Sequence, residues 1–584
     1  MSKDIFEQIR QEIDQFKTGA IRIADNYVFN TSNLINKITL YANSRFESGQ
    51  KDSRGRRKFF YNIVLFRRDT TKKLIDIDIK HFRFFSKKTL NQLKSLFLEY
   101  AFKNWAKDND FGVILNEMAE QVATYGTVFL KTSLKLIPSI VDIRKFYFDA
   151  GAKNIEKARY AIEEILLTPE ELEDKRADGW ENIDEVLNKW IESGEDFIKV
   201  YERQGIVPES WIKKGEKDTK FIKAKFIVAN IEGKEGLVLY KKGIDEYSYY
   251  DFSIRKQKGR LLGMGDVELL LNAQIRRNEL ANQKAVALEI SSKHLFTTPD
   301  DTISGNFLTD YIDGTILKGS LAPVATENRD LASWTAEETA WDILADRLTF
   351  AFDVVRGEAV ASSTPATNAL IQERQAMSNF ALMRQNFGLF LERFVEKNLM
   401  PKLIKQFNNQ ETLRIIANNL DELEEIDMLI INELKKSYAY NDLIQTGFYP
   451  EEKELSGFEK KIKEELLSGG LVRLVKYIKN YFKDFDYQVL VNVVSEKVDP
   501  TTEVINMQNF LAQIANPQVL QDPMLRKFIY KIAERIGIPI TDIQKIEETR
   551  AIKKSQMPEI PAEIPAEIPS AELPVGAIPA GLRQ

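Results

Sequence analysis

No cysteine occurs anywhere in the 584 residues, so disulfides, thiolate metal sites and cysteine nucleophiles are excluded. Histidine is almost as scarce, with only His81 and His294. A multi-histidine metal centre cannot be built from two, and a serine-histidine-aspartate triad would have to use one of them. Each reads as a surface or packing residue. Long apolar runs are missing as well: no stretch approaches the roughly eighteen residues of a membrane-spanning helix. The opening Met1-Ser2-Lys3-Asp4-Ile5-Phe6-Glu7 mixes acids and bases, unlike a signal peptide. The expectation is a chain made in a cytoplasm, with no membrane partner. The last absence is a positive excess. Lys and Arg number 82 against 87 Asp and Glu, a net charge of −5. Proteins that grip DNA by its phosphates show the opposite balance, because counterion release drives that binding. If the chain handles DNA, this balance favours letting DNA pass rather than gripping it.

What is present is ample material for a core: 43% of residues are hydrophobic and 29% charged, over a length of about three to five domain-sized units. Ile5, Phe6, Ile9, Ile13 and Phe16 fall on one face of an opening helix. The basic stretch Lys51 to Lys58 reads as a solvated loop. A helix is expected over Asp108–Thr124, where Ile114, Met118 and Val122 are four apart. Tyr125-Gly126 ends it, and Thr127–Lys131 begins a strand. Pro138–Phe148 adds a second extended segment, and Glu170–Trp190 reads as one acidic helix. Two β-like runs within Phe226–Tyr240 flank Glu232–Gly236, a hairpin signal. The first 258 residues therefore read as an α+β body.

The middle of the chain changes character. Gly263-Met264-Gly265 reads as flexible, and Asp266 as the N-cap of a helix over Val267–Ser292, a rod of roughly 39 Å. A turn-rich module, His294–Arg329, interrupts. A second helix opens on the capping box Thr335-Ala336-Glu337-Glu338 and runs to about Val355. Arg356–Ser363 suits a helix poorly, because Gly357 has low helical propensity and Pro365 disfavours helical backbone at Thr364. Thr364-Pro365 then restarts a helix, which carries Phe380, Phe387, Phe390 and Phe394 to about Gln406 and is open to a kink at Pro401. The remainder reads as mostly helical, with a β-rich exception at Tyr487–Val494 and helices around Thr501–Ala515 and Pro523–Ile536. Proline recurs at every third or fourth place from Pro558 to Pro569, which blocks helix and sheet ladders and predicts an extended tail.

No motif carries catalytic chemistry. Gly314-Thr315-Ile316-Leu317-Lys318-Gly319-Ser320 lacks the lysine that a phosphate-binding loop places before its serine. Gly263-Met264-Gly265 is half of a dinucleotide fingerprint. Acidic clusters such as Asp421–Glu425 read as solvated helix faces. No cofactor is expected, and no enzyme.

The order of elements over residues 263–406 resembles the central part of tailed-bacteriophage portal proteins. The strings that carry this resemblance are Gly263–Leu270, Gly319–Val324 and Ser363–Ala369, with Ala119–Asp149 similar to the portal wing. It implies an α+β, predominantly helical, ring-forming portal-like fold. Residues 1–262 would be the wing and 263–292 the first stem helix. The clip would span 293–332 and the second stem helix 333–356. The tunnel loop would be 357–364, and the long wing helix and its return 365–498. The crown would be 499–550; the proline-rich tail over 551–584 departs from the family pattern. The implied function is mechanical. About twelve subunits close a ring at one capsid vertex of the virion, assembled in the host cytoplasm. The ring conducts double-stranded DNA and docks the packaging motor (terminase), the head–tail adaptor and the major capsid protein.

Residue types and resemblance together give three site expectations. The stem helices carry apolar residues on several faces (Leu271, Ile275, Ala281, Ala285, Val286, Leu288), so copies around an axis would supply their neighbours. Thr302, Asp310, Asp313 and Lys318 in the clip would meet docking partners. Arg356, Gly357, Glu358, Ser362, Ser363 and Thr364 would face DNA with weak, sequence-blind contacts. Two other classes fit the same absences: a metal-dependent DNA-processing enzyme built on Asp and Glu, and a helical scaffold unrelated to phage. A nuclease assay with Mg²⁺ separates the first, and particle size the second.

Overall fold

The structure is a computed structural model that describes residues 2–53, 55–87, 92–132, 137–212, 220–231, 235–291, 296–297, 322–323, 331–356, 366–408, 412–416, 420–446, 448–467, 472–476, 481–483 and 485–492. The chain divides into two units, residues 1–416 with 429–494, and residues 417–428 with 495–584. Of the second, only residues 420–428, at the start of a helix, are described. The helices expected around Thr501–Ala515 and Pro523–Ile536, and the proline-rich tail, lie outside the described residues.

The body of the first unit is α+β. Helix α1 (Ser2–Thr18) buries Ile5, Phe6, Ile9, Ile13 and Phe16, the face its periodicity marks. The hairpin β1 (Ile21–Ala24) and β2 (Tyr27–Phe29) leads to α2 (Thr31–Ala42), whose N-cap Asn30 accepts from the Asn33 N–H. After α3 (Leu65–Ile75) and β3 (Phe82–Ser86) come α4 (Gln92–Asp108) and α5 (Phe111–Tyr125). Asp108 thus closes one helix and does not open the next. Asp110, left-handed at φ +50°, breaks the pair. Gly126, at φ +79°, ends α5 as expected.

Strands β4 (Thr127–Thr132), β5 (Pro138–Ile140), β6 (Phe146–Phe148) and β7 (Tyr160–Leu167) come next. The single helix expected over Glu170–Trp190 is two, α6 (Pro169–Asp174) and α7 (Ile183–Ser193). Gly179 at φ +81° and Asn182 at φ +58° interrupt it. A capping box between Thr168 and Glu171 fixes the start of α6. Then come β8 (Ile198–Pro208), β9 (Phe221–Ile231), β10 (Glu235–Gly243) and β11 (Tyr249–Ser253). The expected hairpin is β9–β10, with Glu235 opposite Ile231.

The strands build a five-stranded antiparallel sheet, β10-β9-β8-β7-β6, and a three-stranded one, β11-β4-β5. Both faces of the larger sheet are covered, so its central strands alternate between two apolar clusters instead of apolar and polar. Ala224, Phe226 and Val228 pack with α1, while Ile227 and Ala229 pack with Leu172, Ile183 and Val186 of α6 and α7.

Beyond the sheets run α8 (Asp266–Ser291), the short pair β12 (Phe296–Thr297) and β13 (Ala322–Pro323), and α9 (Leu331–Thr349). Helix α9 begins before Thr335, which lies within it and accepts from the Thr339 hydroxyl through its carbonyl. The helix stops at Thr349, short of Val355, because Phe350 takes φ +58°, which an L-residue cannot hold in a right-handed helix. Next come α10 (Asp353–Arg356), α11 (Ala366–Phe394) and α12 (Met400–Phe407). The break expected at Pro401 is a π-turn over Val395–Leu399. The wider turn absorbs the hydrogen bond that proline cannot donate.

The described C-terminal residues are mostly helical, with two strands, over 412–416 and 472–476, that the sequence reading did not mark. Strand β14 (Thr412–Ile416), α13 (Leu420–Thr446), α14 (Glu452–Leu467), β15 (Val472–Lys476) and β16 (Tyr487–Val491) complete the described chain. Strands β14 and β15 pair with each other, and β16 pairs with β3 near the other end of the sequence.

Candidate functional site

Helices α8 and α9 lie antiparallel, as their ion pairs record. Arg276 meets Glu337 at 2.9 Å, Arg277 meets Glu338 at 2.9 Å and Asp342 at 3.4 Å, and Lys284 meets Glu338 at 3.2 Å. Arg277 reaches as far as Asp342, while Lys284, seven residues further along α8, reaches back to Thr335 and Glu338. Arg277 is itself buried, with its guanidinium 4.0 Å from the Tyr61 ring centroid.

A second face of α8 holds part of its own chain. Gln274, Asn278 and Asn282, spaced by four, bind alternate residues of the segment 59–63. The Ile63 N–H donates to Gln274 Oε1 at 2.9 Å, and Gln274 Nε2 donates to the Tyr61 carbonyl at 2.6 Å. The Tyr61 N–H donates to Asn278 Oδ1 at 2.9 Å. Asn282 accepts from the Phe59 N–H and donates to the Phe59 carbonyl, both at 2.8 Å. The match is geometric: four helical residues rise about 6.0 Å and two extended residues about 6.6 Å. The neighbour of this face of α8 is therefore its own chain. Leu271 and Ile275 likewise pack within the chain, against the cluster of Ile38, Tyr41, Val267 and Leu270. Apolar surface remains elsewhere, with Leu288 exposed on α8 and Ile343, Leu344 and Leu348 exposed on α9.

The base of the pair is locked to the body. Gly263 and Gly265 are not a flexible lead-in. A methyl group on Gly265 would stand 2.4 Å from the Thr124 carbonyl oxygen, and one on Gly126 would stand 2.4 Å from the Gly265 nitrogen. The two backbones touch where only glycine fits. Asp266 opens α8 fully buried, and its carboxylate accepts from Arg255 at 2.8 Å. Burial raises this carboxyl above the ordinary aspartate value, against the pull of Arg255. Arg260 forks onto both Glu268 oxygens at 2.8 and 2.9 Å.

At the other helix, Asp346 gathers two arginines, Arg67 and Arg356, each at 2.7 Å. Burial raises its carboxyl while both guanidinium groups oppose the rise. The same two guanidinium groups approach the Phe66 ring at 4.6 and 5.0 Å. Arg356 also pairs with Asp353 within α10. The assignment of Arg356 to a DNA-facing loop is therefore corrected: it is a helical residue, largely buried in an ionic cluster. Gly357, Glu358, Ser362, Ser363 and Thr364 lie outside the described residues, as do Thr302, Asp310, Asp313 and Lys318 and also His294. His81 is a packing residue whose Nδ1 accepts from the Asp78 N–H at 3.1 Å.

Sequence reasoning missed Arg67, Asp346 and the amide ladder. The four-residue spacing of Gln274, Asn278 and Asn282 was a readable signal of a polar helix face meeting backbone. Nothing local marks Arg67. Among the described residues, no group of three or more His, Asp or Glu side chains is placed to hold a metal ion, and no helix is long and apolar enough to cross a membrane. No protein-family model matches the sequence, and no match to a curated protein was found.

Proposed function

We propose that the chain is a portal subunit. Copies close into a ring at one capsid vertex of a virion, about twelve in the family that the sequence resembles. Double-stranded DNA passes through the channel, inward during packaging and outward during ejection. The packaging motor and later the head–tail adaptor dock on the segment between α8 and α9, and the major capsid protein surrounds the ring. The chain itself catalyses no reaction.

The observation that carries this reading is the α8–α9 pair. It is an antiparallel pair of rods, the longer roughly 39 Å. It is fixed to the body at its base through Arg67, Asp346 and Arg255, and its connector leaves beyond Ser291. Ile343, Leu344 and Leu348 offer apolar surface that a neighbouring copy would cover. In this reading Arg356 anchors the loop that comes after it, and Ser362 and Ser363 are left to meet DNA.

Negative-stain images of the purified protein are the test. Closed rings with a central hole are expected end-on. A folded chain that stays monomeric at high concentration overturns the reading.

A further inference from the structure

Phe59, Tyr61, Leu65 and Phe66 are all exposed. The backbone beneath Phe59 and Tyr61 is pinned to α8 by the amide ladder, so these two rings stand on a rigid base. Aromatics held in this way lose little freedom on binding and make good interface anchors. A basic arch leads into them. Lys51 and Arg57 bridge across it through their backbones, and the Lys58 N–H donates to the Gln50 carbonyl at 2.9 Å. Arg56 is taken by Asp52 and Glu289, at 2.9 and 3.5 Å. Among the described residues no carboxylate pairs with Lys51, Arg57 or Lys58, and Lys58 donates to the Ser48 hydroxyl at 2.7 Å.

The far end of α13 is apolar too, with the opposite charge. One side of it meets α14, where Tyr438 stacks on Phe458 at 4.5 Å and Lys435 pairs with Glu459 at 2.6 Å. Tyr440, Leu443 and Ile444, spaced by three and four, lie on the other side and are exposed. The Thr446 hydroxyl donates to the Asp442 carbonyl at 2.7 Å and accepts from the Phe448 N–H at 3.3 Å. These bonds hold the turn that offers Phe448 and Tyr449. Phe448 is 79% exposed, more than any other large apolar side chain among the described residues. The same stretch carries Asp442, Glu451, Glu452 and Glu454 against one cation, Lys453. Among the described residues none of these four carboxylates pairs with a cation. Asp442 stands near a helix C-terminus whose last turn holds no base, where the helix dipole favours positive charge.

We infer that these two faces meet between adjacent copies of the chain. The apolar, acidic end of α13 in one copy covers the apolar, basic face of the next, with Phe448 and Tyr449 on Phe59, Tyr61 and Phe66. Each face carries the charge that the other lacks. Pairing like with like would set cation on cation and acid on acid, so the contact runs head to tail, the kind that closes a ring. A monomer rarely leaves two such apolar faces in water. The inference rests on the ring proposed above and assigns the surfaces that close it.

The test follows the assembly of the full chain by sedimentation velocity over a range of concentrations. Lys51→Glu with Arg57→Glu reverses one face, and Glu452→Lys with Glu454→Lys reverses the other. All four side chains are exposed, so the fold should survive. Each pair alone should weaken assembly about tenfold or more. The four changes combined in one chain should restore it, which a folding defect would not allow. Phe448→Ala should also weaken assembly, through the apolar half of the contact. A parent that stays monomeric overturns the ring and this inference together. If the parent assembles and both reversed variants assemble equally well, the ring stands, the two faces belong to another partner and the inference is overturned. Loss in both pairs without rescue by the combination overturns it too.

Discussion

In the sheet body, Lys131 is 14% exposed and sits between Glu163 and Glu202, themselves 18% and 5% exposed. On the α8–α9 pair, Arg276 and Glu337 are 36% and 39% exposed. The same chemistry works under different rules in the two regions. A buried charge without its partner is costly, whereas an exposed pair is screened and nearly free to lose. The body therefore holds its charges as an obligatory set that joins two sheets. The helix pair is mixed: Arg276–Glu337 is an exposed pair that serves alignment, while Arg277–Glu338, 7% and 12% exposed, belongs with the buried set.

Lys131→Met should break the contrast most visibly. It leaves the buried Glu202 with Lys225 alone and the partly buried Glu163 without its cation, and urea unfolding should show a loss of about 3 kcal/mol. A loss below about 1 kcal/mol would mean that the cluster is solvated and that the two regions do not differ.

Acid gives the next largest effect. Burial alone would raise the Glu202 carboxyl, but Lys131 and Lys225 outweigh it and hold the group at about 2, against an ordinary 4.5. A carboxyl held low in the folded state stabilises fully above its unfolded value, and that contribution disappears as the proton returns. Stability should therefore fall between pH 4.5 and about 2, by something on the order of 3 kcal/mol. Glu202→Gln should flatten that limb of the curve while lowering stability at neutral pH. An unchanged acid limb in Glu202→Gln would show that other groups control it.

The amide ladder sharpens the comparison within one helix. Gln274→Ala strands the buried Ile63 N–H and should cost about 1–3 kcal/mol. Asn282→Ala acts at the exposed end of the same ladder and should cost about 0.5 kcal/mol, since water replaces the lost partner. Equal losses would show that burial does not set the cost. The smallest effect belongs to Arg276→Ala, below about 1 kcal/mol and vanishing at high salt. A larger, salt-insensitive loss would place that pair with the buried set.

Local pattern made much of the fold legible. The apolar face of α1, the length of α8, the end of α5 at Gly126 and the β9–β10 hairpin all arise from periodicity and turn chemistry within a few residues. The same logic failed where local signals were mild. Thr335 and Glu338 spell a capping box, yet α9 begins earlier, and Glu338 pairs instead with Arg277 and Lys284. The amide spacing on α8 was visible, but its partner segment was not.

The sequence by itself determined which faces are apolar, where turns are cheap, and that cysteine chemistry is excluded, because each of these depends on residue type and short spacing. Tertiary structure alone decided that β16 pairs with β3, that segment 59–63 lies on α8, and that Asp346 captures Arg67 and Arg356. Those choices join distant parts of the chain. Periodicity says that a surface must be covered, and only the summed fit of packing, hydrogen bonds and paired charge selects what covers it.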